Sequence, residues 1–287
     1  MTSDENKSGK ALEQQRFQML RDIAGELSGD VVFPCHFDLV LRLRSALKAP
    51  QLSEDQLVGL LQLDPLLSAR LVGLANLPDF GPLDGPVYDL PSAVARLGLQ
   101  RARVLARKLV VRQFLIGGPV SVFSDLLFGF WRHSLKTASA ALVLNRHFAH
   151  FDPGEAQLAG LTHDIGAFYM LFRAAQYEEL RQRPETVKYL IGKWHDGLGH
   201  ALLGALGLPS RLVDAVQDHD TPRPRLDQIN SLSDLVHVAN SQAGAVVEQR
   251  YMDISAQDPG QQGLNPKFTQ LGDEIQAQFD ELVAPLG

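Results

Sequence analysis

The doublet His163-Asp164, followed by Ile165-Gly166, stands near four other polar residues able to bind a metal ion or a phosphate: His133, His195, His219 and Asn240. Each lies on an apolar stripe with helical spacing. His163 continues Ala156 and Ala159, and His219 continues Leu212, Ala215 and Val216. His195 opens the stripe Gly199, Leu202, Leu203, while Asn240 interrupts Leu232, Val236, Ala239, Ala243 and Val247. Side chains at i, i+3/i+4 and i+7 share a face, so each polar group should point inward with its neighbours. A buried polar group without a partner costs on the order of 1 to 3 kcal/mol, so five such placements must satisfy one another, water, an ion or a ligand. Imidazole and carboxylate are the usual ligands of borderline and hard divalent metals, and a helical bundle can present them from several helices at once. On one continuous helix His163 and Asp164 lie about 100° apart, so both reach one ion only at a helix edge, where Gly166 would permit a break.

The elements that must position these residues are helices. The chain has 287 residues, 45% of them hydrophobic, which is enough for one large or two small globular domains. Helical periodicity predicts elements over 11–27, 37–47, 54–63 and 65–76, and from Ser92 onward. Ser53 to Gln56 has the form of a capping box, and Asp64-Pro65 combines a cap with a first-turn proline. A loop over 77–91 holds four prolines and two glycines. After the break Gly117-Gly118-Pro119, helices are predicted over 123–149, 155–165, 168–181, 185–206, 209–219 and 231–249. A linker over 253–265 and a helix over 266–286 complete the chain. The formal net charge of −6 disfavours general nucleic-acid binding. A single cysteine, Cys35, permits no intramolecular disulfide and agrees with a reducing compartment. The polar start of the chain is no signal peptide and no apolar run spans a bilayer, so a cytoplasmic, soluble protein is expected.

Several other groups have bland readings. Cys35-His36 suggests a nucleophile pair only superficially, because consecutive side chains diverge. Arg96, Arg101, Arg103, Arg107, Lys108 and Arg112 fall in a stretch with no acidic residue; they suit a solvated helix face better than an anion site. His147, His150 and His200 read as surface or boundary residues.

The chain resembles the HD superfamily, and within it the HDOD branch, the HD-related output domain of bacterial signalling proteins. The resemblance rests on His133-Ser134 with Ala138, the run Ala159 to Gly166, His195 with Gly199, Leu202 and Leu203, then Leu208-Pro209, Ala215-Val216 and His219. In the first half it rests on Phe33-Pro34, Asp64 to Leu71, Leu74-Ala75-Asn76 and Ala93 to Gly98. It implies an all-α fold in which an N-terminal helical subdomain, 31–117, packs on an HD-like bundle, 119–247, within an HDOD domain of 31–250. A tail and helix (1–30) and a linker with a C-terminal helix (251–287) flank it. Catalytic HD and HD-GYP phosphodiesterases carry an Asp where Asn240 stands, and the HD-GYP type a second His at Asp220, a Lys at Ala167 and a Gly-Tyr-Pro loop that 221–233 lacks. The resemblance therefore implies a non-catalytic signal-transduction module with a degenerate site, acting through a ligand or a protein partner. His133, His163, Asp164, His195 and His219 are the candidate ligands of one divalent ion, and Asn240 and Asp220 the candidate ligand-binding residues. The rival readings are a metal-dependent phosphohydrolase acting on a nucleotide or cyclic nucleotide, and a scaffold with an empty, hydrogen-bonded core. An anionic ligand such as a nucleotide fits either of the first two.

Overall fold

Helix starts are written into the chain by side chains that accept the first free N–H groups. After α1, Lys10–Glu26, His36 Nδ1 accepts from Leu39 N at 3.2 Å to open α2, Phe37–Ala46. Ser53 and Gln56 form the reciprocal capping box of α3, Glu54–Leu61. Asp64 Oδ1 accepts from Leu67 N at 2.9 Å to start α4, Pro65–Ala75. Asp89, rather than the expected Ser92, caps α5, Leu90–Leu97, because Pro91 fits the first turn that follows it. Gly98, at φ 79°, turns the chain into α6, Leu99–Ile116. The computed structural model describes residues 10–26, 31–49, 51–80, 85–221, 223–244 and 264–286.

The second half is built on α7, Ser124–Phe148, a rod of 25 residues preceded by a 3-10 turn at Gly118–Phe123. Around it come α8 Pro153–Thr162, α9 Ile165–Ala174, α10 Glu178–Arg181, α11 Pro184–Ala205, α12 Ser210–Ala215 and α13 Leu232–Ala243. Two short elements close the chain, α14 Pro266–Thr269 and α15 Gly272–Val283. The fold is all-α, and no strand occurs among the described residues. Helix α7 packs against α8, α13 and α15, and α9 lies along α11. The N-terminal helices join the bundle where α4 and α5 meet α8. One apolar cluster runs from Met19 on α1 to Leu282 on α15.

Glycines set the closest approaches. A Cβ on Gly160 of α8 would lie 2.9 Å from Thr137 O on α7, and one on Gly73 of α4 would lie 1.9 Å from Leu206 O at the end of α11. Trp131 on α7 is buried and donates from Nε1 to Leu63 O at 2.8 Å, with the His36 ring stacked on it at a centroid distance of 4.9 Å. Trp194, on α11, is 53% exposed.

Three expected helices end early. Gly244, at φ 80°, caps α13 after Ala243, and the rest of the helix expected to 249 lies outside the described residues. The helix expected over 209–219 ends at Ala215, and that over 168–181 is interrupted after Ala174. Residues 1–9, 81–84 and 245–263, and with the last of these all but the final two residues of the linker expected over 253–265, lie outside the described residues.

Candidate metal centre

The chain breaks between α8 and α9 within the His-Asp doublet. Helix α8 ends at Thr162, His163 caps it at φ −56° and ψ −38°, and Asp164, at φ −93° and ψ 15°, begins the next turn. This break lets both side chains face the bundle interior. Gly166 is not what makes it: the glycine sits inside α9, where a Cβ would fall 2.0 Å from His195 O and 2.7 Å from Gly199 N. Its role is to let α9 and α11 touch, which sets His195 against Asp164.

His133 on α7, His163, Asp164, His195 on α11 and His219 come together, with Asn240 on α13 and Asp220 at the edge. His219 is not helical as the stripe suggested. It follows Asp218, which adopts φ 57° and donates its N–H to both Asp196 oxygens at 3.0 and 2.8 Å. That turn swings the His219 ring inward. The Asp164 carboxylate is the hub. Its Oδ2 is 3.3 Å from His163 Nε2 and 3.6 Å from His133 Nε2; its Oδ1 is 3.4 Å from His195 Nε2 and 3.3 Å from His219 Nε2.

The opposite ring nitrogens decide what faces that hub. His163 Nδ1 donates to Gly160 O at 2.8 Å, His195 Nδ1 to Ile191 O at 2.7 Å and His219 Nδ1 to Val216 O at 2.7 Å. A carbonyl only accepts, so each neutral ring carries its proton on Nδ1 and turns an Nε2 lone pair toward the carboxylate. Both Asp164 oxygens are buried without a hydrogen-bond donor. Lone pairs facing lone pairs in a dry site require a positive charge between them, and a divalent cation fits that demand. The groups His133, His163, Asp164 and Asp164, His195, His219 each hold donor atoms within 4.8 Å of one another.

Without an ion, protons supply the charge. Burial opposes charge on His219, but Asp220 and then Asp164 outweigh it and push its imidazole up to about 9. Burial dominates at His163, which falls to about 3. Burial alone would raise Asp164 and Asp220; His163 beside the first and His219 beside the second hold both below the usual carboxylate range.

Two residues that sequence spacing did not single out support the centre. Asp196 braces the turn before His219, and His237 Nδ1 donates to His219 O at 2.9 Å. Both fall off the apolar stripes, so only their adjacency to His195 and Asn240 hinted at them. The remaining candidates lie elsewhere. His200 is 3.5 Å from Asp214, and His147 is 2.9 Å from Glu274 on α15. Cys35 is buried, and burial pushes its thiol well above the ordinary range, opposite to what a nucleophile needs. In the basic stretch, Arg103 donates to the carbonyls of Leu47 and Ala49 past the end of α2, and Arg96 to Gly85 O at 3.0 Å.

The HDOD domain family profile matches residues 33–222, about two thirds of the chain. No curated protein matches. Among solved structures, the MmoQ response regulator from Methylococcus capsulatus str. Bath aligns with a TM-score of 0.61 at 21% identity, over 87% of this chain and 96% of that one. A second MmoQ structure, fragment 20–298, gives 0.54 at 19% identity over 84% and 88%. A candidate metal-dependent phosphohydrolase from Shewanella amazonensis SB2B gives 0.49 at 21% identity over 96% and 100%. At these identities the likeness concerns the fold.

Proposed function

The chain belongs to the HDOD family, and on that premise we propose that it is a signal-transduction module that works by binding, its His/Asp cluster holding a divalent ion as an internal centre. Burial of the cluster carries this reading. His133, His163, Asp164, His195 and His219 are at most 4% exposed and Asn240 is 8% exposed. Hydrolysis of a phosphodiester needs an activated water, a clamp for the phosphate and a way in for the substrate at one place. Ala167, where HD-GYP enzymes carry a lysine, supplies no cation to clamp a phosphate, and it is fully buried. When bound, a divalent ion would supply positive charge to Asp164 and draw four helices together. His163, His195 and His219 are oriented for this by their backbone carbonyls.

The description of MmoQ as a response regulator agrees with a signalling role. No single helix among the described residues is long and apolar enough to cross a membrane. The alternative, a metal-dependent phosphohydrolase, draws on the same retained ligands. Turnover of cyclic dinucleotides and nucleoside monophosphates with Mn²⁺, Fe²⁺ or Ni²⁺ separates the two. The binding reading expects background rates for wild type and His163→Ala alike. Activity well above background that disappears in His163→Ala would establish the enzyme.

A further inference from the structure

We infer that the cluster takes one divalent ion and not two, in the half formed by Asp164, His195, His219 and Asp220, and that Asn240 closes the His133–His163 half to a second. This rests on the metal-binding reading above and adds a location, a stoichiometry and a residue that enforces them.

Asp220 offers a fourth donor beside the group Asp164, His195 and His219, through its contacts with the two histidines. Four donors around an ion at about 2.0 to 2.1 Å sit roughly 3.3 to 3.4 Å apart at the edges of a tetrahedron. The observed edges are His195 Nε2 to His219 Nε2 3.2 Å, His195 to Asp164 Oδ1 3.4 Å, His219 to Asp164 Oδ1 3.3 Å, and Asp220 Oδ2 to His195 3.2 Å and to His219 3.7 Å. Both Asp164 oxygens are buried without a hydrogen-bond partner, one toward each half, and Asp220 Oδ2 adds a second such oxygen on this side alone, as oxygens reserved for a cation would be.

The other half has similar edges, so distance alone does not exclude an ion there. Hydrogen-bond direction does. Asn240 Nδ2 donates to Asp220 Oδ1 at 2.7 Å. A carboxylate only accepts, so the amide cannot be turned round, and its oxygen must face His133 Nε2, 2.8 Å away. That oxygen only accepts as well, so His133 presents an N–H to it from Nε2 and has no lone pair there for a metal. The 2.8 Å separation is a hydrogen-bond length and shorter than a tetrahedral edge. Charge points the same way. Asp164 and Asp220 together offset one divalent ion, and a second would bury uncompensated positive charge. An aspartate at 240 would reverse both conditions, by removing the donor to Asp220 and adding a third negative charge. Asn240 and Asp220, twenty residues apart, thus work as a pair.

The test is metal content and titration calorimetry of the metal-free full chain with Mn²⁺ and Zn²⁺, with Co²⁺ absorption to report tetrahedral coordination and circular dichroism to confirm folding. Wild type should bind one ion per chain. The isosteric change Asp220→Asn and the change His195→Ala should each weaken binding at least tenfold, His133→Ala should leave one ion with affinity within about threefold, and Asn240→Asp should raise the content to two. Two ions in wild type, or an ion lost with His133→Ala and kept with Asp220→Asn, would overturn the assignment while leaving the cluster a metal site. No ion bound by wild type at all would overturn the metal-binding reading itself.

Discussion

Gly166→Ala places one methyl group at the contact on which the cluster geometry depends. The added Cβ would sit 2.0 Å from His195 O and 2.7 Å from Gly199 N, where ordinary carbon–oxygen contact is about 3.4 Å. Both obstacles are backbone, so no rotamer change relieves them and α9 must separate from α11 by more than about 1 Å. Overpacking of this kind costs typically 1 to 3 kcal/mol, and rigid backbone on the far side puts it at the upper end, about 3 kcal/mol. For a chain of this size that is a fall in Tm of roughly 6 to 12 °C. Because His195 moves away from Asp164, metal affinity should fall on the order of 10- to 100-fold as well, the range seen when a ligand loses its orientation. Gly197→Ala provides the control on the facing helix α11, with nothing within 4 Å of the new Cβ; there the gain in helix propensity should stabilise by about 0.5 to 1 kcal/mol. Thermal melts with and without EDTA, beside calorimetric titration, read both effects. A Gly166→Ala protein that melts within a degree of wild type and binds metal equally well would refute the close-contact argument.

The metal-free protein should have a stability maximum near pH 6.5. The His219 contribution is complete below its unfolded value near 6.5 and is lost as pH rises through about 9; over that interval, at about 1.36 kcal/mol per pH unit, it amounts to roughly 3 kcal/mol. His163, lowered to about 3, contributes above 6.5 and loses its contribution as the pH falls toward that value. Urea unfolding in EDTA between pH 4 and 10 checks this, and a curve flat from 6.5 to 9 would sink it. Asn76→Ala should cost roughly 2 to 4 kcal/mol: its amide donates to Val87 O at 2.9 Å and accepts from Val87 N at 2.8 Å, so alanine strands both groups of a buried residue. Urea unfolding of that variant reads the loss, and a cost under about 0.5 kcal/mol would show that water replaces the amide.

How much of this was legible in the sequence varied with the kind of information involved. His133 and His195 were readable because each shares a helical stripe with buried residues, Ala138 and Ala141 for the first and Gly199, Leu202 and Leu203 for the second. His219 was expected inside, and it is, but by a different route. Its stripe appeared to continue α12, whereas a positive-φ turn at Asp218 carries it there, and periodicity has no way to register a turn. The break at His163-Asp164 was anticipated and given to Gly166, because a glycine in sequence does not say whether it serves its own backbone or a neighbour's. The Asn240–Asp220 bond was beyond reach: two residues twenty positions apart on a turn and a helix have no characteristic spacing. The basic stretch suggested solvent or an anion, yet Arg103 spends its donors on carbonyls past the end of α2, whose position relative to α6 is a tertiary fact.

The chain has two tryptophans, and each stands close in sequence to a different histidine of the cluster. Trp131 precedes His133 by two positions and is enclosed between Leu63 and the His36 ring; Trp194 immediately precedes His195 and meets water. Their emission should therefore differ in colour, short-wavelength from the enclosed indole and red-shifted from the wetted one. Trp131 reports on the seam between α7 and the N-terminal helices, and Trp194 on the wetted face of α11. The molecule thus carries two intrinsic optical probes, and the opening of two regions can be followed separately in one unlabelled sample.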